Sequence, residues 1–223
     1  MKKAKERSRW TPVKEFMGEH KVRFGRHHSF QLYNSPRRIL HMMSYYKFAS
    51  KIIGRGKHVL DVGCGEGLGT WLLAVECGRA EGLDLDREAV EIGRQNWPDP
   101  RIKIQVQDFL QLKQKGSYDA VVNFDVIEHI LPENVGLFWK KISDNLKGEG
   151  IAVVGTPNSA AEQYASPVTR SGHVNLYSGE KLEAEMKKHF KHVLMFGGND
   201  EVVHTGFLPM AHYLIAVGCH KLK

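Results

Sequence analysis

Five apolar runs of strand length, each flanked by Gly, Asp or Pro, punctuate the middle of the chain at 58–62, 80–85, 102–107, 119–124 and 151–155. Between most of them apolar residues recur at helical spacing, over 68–77, 87–96 and 132–146. Asp86 is placed to cap the second of these helices. Pro132 opens the third and Gly148 lies just past its end. Such alternation predicts an α/β fold with a parallel sheet, right-handed crossovers and helices on both faces. Ahead of it, 35–54 reads as a helix with Ser35 as cap, Pro36 in the first turn and Gly54 as stop, and Ile39, Met43, Tyr46 and Ile53 sharing a face. The tail changes pattern. A helix over 178–190, with Leu182, Met186 and Phe190 at i, i+4 and i+8, precedes two strand-like runs at 192–196 and 213–218 with no helix between them. That predicts an antiparallel hairpin on the sheet edge.

The first strand runs into VLDVGCGEGLGT, residues 59–70, with Gly63, Gly65 and Gly67 at alternate positions. Glycines between a strand and a helix let backbone approach a ligand, with the free N–H groups of the helix start facing it. In an open α/β sheet that ligand lies beyond the carboxyl ends of the strands. The dinucleotide pattern G-x-G-x-x-G/A fails from Gly63, where Leu68 takes the sixth position, and from Gly65, where Thr70 does. A phosphate-binding loop would also need a Lys followed by Ser or Thr, which is absent. Asp61, two residues before Gly63, would repel a pyrophosphate and suits a nucleoside cofactor carrying a cationic amino group.

Charge adds one contrast. The net charge of +7 resides in the leader: residues 1–40 hold eleven Lys and Arg against three Glu, and the remainder 21 against 22. A basic leader on a neutral body points to an anionic substrate, RNA or a membrane surface, or to a solvated tail; residues 1–12 read as the tail. Arg23, Arg26, Arg37 and Arg38 are candidates for a phosphate clamp, with Phe24, Phe30 and Tyr33 lining an acceptor pocket. The expected division is a leader over 1–34, which can close as a lid, and one domain over 35–223. No apolar run reaches the roughly 18 residues of a membrane span, and no apolar stretch follows the basic start as in a secretory signal. Cys64, Cys77 and Cys219 form no metal or disulfide pattern, which suits a reducing cytoplasm.

LDVGCGEG, EGLDLD, VQDF and NFDV, in this order and spacing, resemble the class I S-adenosylmethionine (SAM)-dependent methyltransferases. The resemblance implies a Rossmann-like, mostly parallel seven-stranded sheet. It implies that Asp84, or Asp86 in its place, binds the ribose hydroxyls, that Asp108 meets the adenine amino group with Phe109 beside the ring, and that Asn123 and Phe124 flank the methionine part. With Asp61, Gly63, Cys64, Gly65, Gly67 and Leu85, these make up the expected cofactor contacts.

The segment NFDVIEHI places Asp125, Glu128 and His129 at i, i+3 and i+4, on one face if it turns helical. Two carboxylates and an imidazole at the cofactor mouth suit a divalent ion, with His173 as a further ligand and Mg²⁺ or Mn²⁺ expected. The segment is similar to E-x-x-E-H of ubiquinone-biosynthesis O-methyltransferases and of small-RNA 2′-O-methyltransferases, which hold magnesium through two Glu and two His. Glu128 and His129 match; Asp125 is one methylene shorter, and His173 matches by position alone. His129 as a metal-free general base, or as a packed structural histidine, stays open. The expected reaction is O-methylation of a hydroxyl on a small molecule, with a sugar or nucleotide-sugar favoured by a further similarity to bacterial methyltransferases of surface-polysaccharide modification. An RNA ribose or quinone-precursor O-methyltransferase and a non-catalytic SAM-binding partner protein are the alternatives. A nucleic-acid enzyme would be expected to show a basic stripe on the folded domain.

Overall fold

The computed structural model describes residues 2–19, 21–113 and 115–222; the side chains of residues 2–9, which include the first basic positions of the leader, and of 167–169 lie outside the description. Three helices come first: α1 (Lys2–Met17), α2 (Arg26–Asn34) and α3 (Arg37–Ile53). The alternating core follows as β1 (Lys57–Val62), α4 (Leu68–Cys77), β2 (Gly78–Asp84), α5 (Arg87–Asn96), β3 (Ile102–Val106), β4 (Tyr118–Phe124), α6 (Val135–Asn145) and β5 (Leu146–Pro157). The remainder is α7 (Pro167–Gly172), α8 (Gly179–Lys187), β6 (Phe190–Asn199), β7 (Val202–His204) and β8 (Tyr213–Lys221).

The strands form one sheet in the order β3-β2-β1-β4-β5-β8-β6-β7. The first five are mutually parallel, and β8 inserts antiparallel between β5 and β6. The expected Rossmann-like sheet with a C-terminal antiparallel hairpin is therefore present. It has eight strands because the connection from β6 to β8 adds the three-residue edge strand β7.

Period-two alternation sends successive side chains to opposite faces. Leu60 and Val62 of β1 and Val121 of β4 pack with Phe138, Trp139 and Ile142 of α6 and Leu182 of α8. Val59, Ala120, Val122 and Phe124 pack with Tyr45, Tyr46, Ala49 and Ile53 of α3 and Leu73 of α4. The buried stripe of α3 is thus Tyr45, Tyr46, Ala49, Ser50 and Ile53, rotated from the expected one, and Ile39 and Met43 are only half-buried. Two aromatic rings turn it: Tyr45 stacks on Tyr213 of β8 at 4.2 Å, and Tyr46 meets Phe124 edge-on at 5.0 Å. Pro36, not Ser35, is the capping residue of α3 and supplies no side-chain bond.

Strand order reverses between β1 and β4, so the loops leaving their carboxyl ends diverge and open a crevice. Residues 63–67 leave β1 there, and residues 125–129 leave β4.

Candidate active site

Two cavities open at this crevice. The larger, about 550 Å³, lies between the glycine loop, the turn after β4, and a wall of α2 and α3. The smaller, about 280 Å³, lies between the ends of β1, β2 and β3. Gly63, Asp84, Asp125, Val126 and His129 border both.

The loop conformation demands glycine at two points. Gly63 has φ of 77°, and a Cβ there would sit 2.1 Å from Val126 Cγ2. Gly67, at φ of 73°, would drive one to 2.4 Å from Ile104 Cδ1. Left-handed backbone and this crowding together exclude a side chain at either position. The amides of Gly63 and Cys64 both donate to Leu83 O, which ties the loop to β2. Asp84, at the end of β2, accepts from Gly65 N at 2.7 Å and Asp86 N at 2.8 Å while bordering both cavities. Asp86 also borders the larger one and caps α5 through the amides of Glu88 and Ala89.

The smaller cavity is a mostly apolar slot, with Leu85, Phe109 and Ile130 among its walls and Asp108 at its edge. Asp108 caps the single turn Phe109–Gln111, accepting from Leu110 N at 2.9 Å and Gln111 Nε2 at 3.1 Å.

Three expected cofactor residues, Asp61, Gly67 and Asn123, border neither cavity. Asp61 is fully buried and borders neither cavity. It shares the face of Val59 and points back between α3 and α4, where Tyr46 Oη donates to Oδ1 at 3.0 Å and Thr70 Oγ1 to Oδ2 at 2.6 Å. Burial pushes its carboxyl up to about 7, against the lowering effect of those two hydroxyls. Asn123 is likewise buried off the cavities and donates to Val62 O at 3.1 Å, bracing the ends of β4 and β1. Cys64 and Phe124 do line the larger cavity. Burial holds the Cys64 thiol well above its usual range, so it packs as an apolar group.

After β4 the chain does not turn α-helical. Asp125 adopts φ of 57°, unusual for a residue with a Cβ, and Ile127–His129 form one 3₁₀ turn. The expected single helical face is therefore not how the three residues are held. Asp125 faces the cavity near the Tyr213 hydroxyl, and desolvation by the walls raises its carboxyl, partly offset by Tyr213 and His129. Glu128 is buried: Thr156 Oγ1 donates to Oε2 at 3.1 Å, while Oε1 has no partner among the described residues. Burial, with the Asp125 charge, raises this carboxyl too. The Glu128 carbonyl accepts from Val174 N and Asn175 N, which draws residues 173–175 back over the turn after β4.

That return places His173 beside His129, with ring centroids 5.0 Å apart. His129 Nδ1 lies 2.7 Å from Gly172 O, so Nδ1 carries the proton and Nε2 is left as an acceptor. One donor atom each from Glu128, His129 and His173 lies within 4.8 Å of the others. Asp125 is outside this group of three, which corrects the expected four-residue cluster. His173 Nδ1 is buried without a partner among the described residues, and its pKa is lowered by burial and then by His129.

The leader closes the top, through residues that sequence reasoning passed over. Glu66 is buried in the glycine loop and accepts from Gly25 N at 2.9 Å and His28 N at 3.3 Å, with His28 Nδ1 2.9 Å away. Asn96 holds Arg23 by two backbone bonds, N at 3.0 Å and O at 2.8 Å. The available signal was an acid among glycines, in a loop otherwise free of charge. Of the four leader arginines only Arg38 borders the larger cavity; Arg26 projects into solvent, 3.5 Å from Glu88. Phe24, Phe30 and Tyr33 do not line it, and Phe30 and Tyr33 are exposed. The α2 helix presents His27, His28 and Gln31 instead.

A doubly wound sheet with a glycine-rich loop at the switch point, an acid closing β2 and an apolar slot beside it defines a nucleoside-cofactor protein of the class I methyltransferase type. A family profile described as Methyltransferase domain matches residues 33–189. The chain belongs to the class I SAM-dependent methyltransferase family. It is 34% identical over 119 residues to a probable S-adenosylmethionine-dependent methyltransferase of Mycobacterium tuberculosis, covering 53% of this chain and 41% of that protein. It is 32% identical over 123 residues to a ubiquinone biosynthesis O-methyltransferase of Rickettsia canadensis, covering 54% and 49%. The chain thus matches about half or less of the length of these curated relatives. Among solved structures, the N-methyltransferase NodS of Bradyrhizobium japonicum with S-adenosyl-L-homocysteine superposes with a TM-score of 0.64 at 20% identity, covering 85% of this chain and 90% of that one. Among the described residues no helix is long and apolar enough to cross a membrane.

Proposed function

We propose that this chain transfers a methyl group from SAM to a hydroxyl oxygen of a small hydroxylated acceptor, a sugar or nucleotide-sugar before others. The observation that carries the reading is the convergence of Glu128, His129 and His173 at the mouth of the larger cavity, beside the glycine loop. An O-methyl acceptor needs a group to take or weaken its proton, and this cluster is where the chain offers one. The ubiquinone O-methyltransferase relatives favour oxygen as the methylated atom.

Asp84 would hold the cofactor ribose, the side-chain-free backbone at Gly63 and Gly65 would leave room for its methionine part, and the slot at Phe109 and Asp108 would take the adenine. When bound, SAM supplies an electrophilic methyl on its sulfonium. Phe124, Tyr45 and Tyr46 border the same cavity and exclude water from the reacting end. Asp61 acts from behind the loop, fixing α3 and α4 against β1 through Tyr46 and Thr70. Residues 1–34 form a leader whose second half, latched by Glu66, covers the cavity of a single domain over 35–223.

The three-residue cluster fits a divalent cation. Glu128 Oε1 and His173 Nδ1 are buried polar atoms without partners among the described residues, and a cation would satisfy Oε1 and, in the tautomer that leaves it unprotonated, Nδ1. Two imidazoles and one carboxylate suit Mg²⁺ or Mn²⁺, and also Zn²⁺. When bound, the ion lowers the pKa of a hydroxyl next to it. A second reading rests on the contact between His129 Nδ1 and Gly172 O: it leaves Nε2 free to accept the acceptor's proton without metal.

Turnover with and without a chelator separates the two. With metal, chelation abolishes turnover and leaves S-adenosyl-L-homocysteine affinity unchanged, and Glu128→Gln loses activity with partial rescue by excess metal. Full turnover in metal-free buffer with loss in His129→Ala selects the base. If S-adenosyl-L-homocysteine does not bind by calorimetry, the methyltransferase reading itself fails.

A further inference from the structure

The larger cavity is polarised. Its sheet side carries carboxylates at Asp84, Asp86, Asp125 and Glu128, which suit a cofactor bearing a sulfonium and an ammonium, while Glu66 is already engaged by Gly25 and His28 under α2. Its helical side carries one permanent cation, Arg38, with His27, Gln31 and His41. No carboxylate pairs with Arg38 among the described residues, although Arg26 from the same leader finds Glu88. Gln31 Nε2 is spent on His27 Nε2 at 2.8 Å, which leaves Gln31 Oε1 buried and without a partner among the described residues. His41 Nε2 is also buried without a hydrogen bond among the described residues, and the Asp200 carboxylate is 3.7 Å away. One wall of the cavity therefore offers an unneutralised guanidinium and two unsatisfied polar atoms, and buried polar atoms of this kind call for a partner.

We propose that Arg38, Gln31 and His41 form a subsite for the phosphoryl group of a phosphorylated, hydroxylated acceptor. The proposal rests on the methyltransferase reading above and adds the acceptor's charge and reach. Arg38 gives paired donors to phosphate oxygens. His41 contributes a ring N–H, and Gln31 Oε1 accepts from a neighbouring hydroxyl. Arg38, His41 and Tyr45 follow one side of α3, and Tyr45 stacks on Tyr213, which faces Asp125 at the reacting end. Seven residues at 1.5 Å rise set Arg38 about 10 Å along the helix from Tyr45. The phosphoryl group is thus about a sugar ring or more from the hydroxyl that receives the methyl, as in a sugar phosphate or a nucleotide-sugar.

Inorganic pyrophosphate is the probe, titrated by calorimetry into protein saturated with S-adenosyl-L-homocysteine. The wild type is expected to bind it. Arg38→Ala should weaken that binding at least tenfold, Arg38→Lys should recover part, and Arg26→Ala should change nothing; S-adenosyl-L-homocysteine affinity should be equal in all four. Equal pyrophosphate affinity in wild type and Arg38→Ala, or no binding to wild type, overturns the subsite while leaving the methyltransferase reading intact. Loss of S-adenosyl-L-homocysteine binding in the wild type would instead remove the reading on which the subsite rests. Glucose 1-phosphate against glucose, in the same titration, checks that the phosphoryl group rather than the sugar is recognised.

Discussion

Asp61 concentrates several effects in one side chain. Fully buried, it keeps its proton up to about pH 7, whereas in an unfolded chain it would lose it near 4. Between those values the native state holds the extra proton, so stability falls as pH rises through the window, by at most about 1.4 kcal/mol per pH unit from this group. Asp61→Asn removes the ionisation and keeps the shape. Urea midpoints at pH 5 and pH 7.5 should therefore move in the variant's favour as pH increases; a difference that is flat with pH would show that Asp61 is ionised throughout. Residues at the reacting end divide in the same way between direction and partner. Asp125 is aimed by a left-handed backbone, Glu128 by Thr156, and His129 by the carbonyl of Gly172.

At the scale of elements, α2 is held to the body by few bonds. Glu66 takes the amides of its capping residue Gly25 and of His28, Asn96 holds the strand of chain just before it, and Arg26 adds an exposed pair that contributes little. Glu66→Ala leaves Gly25 N and His28 N without acceptors, each at a cost of about 1–3 kcal/mol if the segment stays closed. The cheaper response is local opening. Hydrogen exchange should then accelerate at residues 25–34 by tenfold or more while the sheet amides stay protected. Unchanged exchange there would mean that packing alone holds α2. The same element carries Gln31 and precedes Arg38, so its opening would also weaken pyrophosphate binding in the titration described above.

For the whole molecule, the leader divides by exposure. Residues 10–19 are exposed throughout, including Trp10, Phe16 and Met17, whereas His28 is buried against the glycine loop. Deleting residues 2–12, read from the sequence as a tail, should leave the melting temperature within about 2 °C and S-adenosyl-L-homocysteine affinity unchanged. A larger drop would make α1 part of the fold. The polarity of the large cavity works at this scale as well: acids come from strand ends and the cation from a helix outside the alternating core, which under the proposed reading gives cofactor and acceptor surfaces of opposite preference.

Local sequence determined the elements and their order. The helices 68–77 and 87–96 form as their periodicity and the Asp86 cap require, and the strand runs pair as the alternation implies, because these depend on nearest-neighbour geometry and on burial of a regular stripe. The glycine loop, the acid closing β2 and the Glu128–His129 pair were legible for the same reason: each is contiguous, and each is constrained by its own backbone. Only the tertiary structure decided which atoms face the ligand. Asp61, expected at the cofactor from its place in the motif, is buried and borders neither cavity, and its parity with Val59 sets it on the helical face. His173 joins His129 because the carbonyl of Glu128 captures the amides of Val174 and Asn175, some 46 residues on. Glu66 finds Gly25 and His28, and Arg38 alone of four arginines reaches the cavity, because these contacts depend on how α2 and α3 dock across the crevice. Docking angle is fixed by long-range packing such as Tyr45 on Tyr213, and no short stretch of sequence contains both partners.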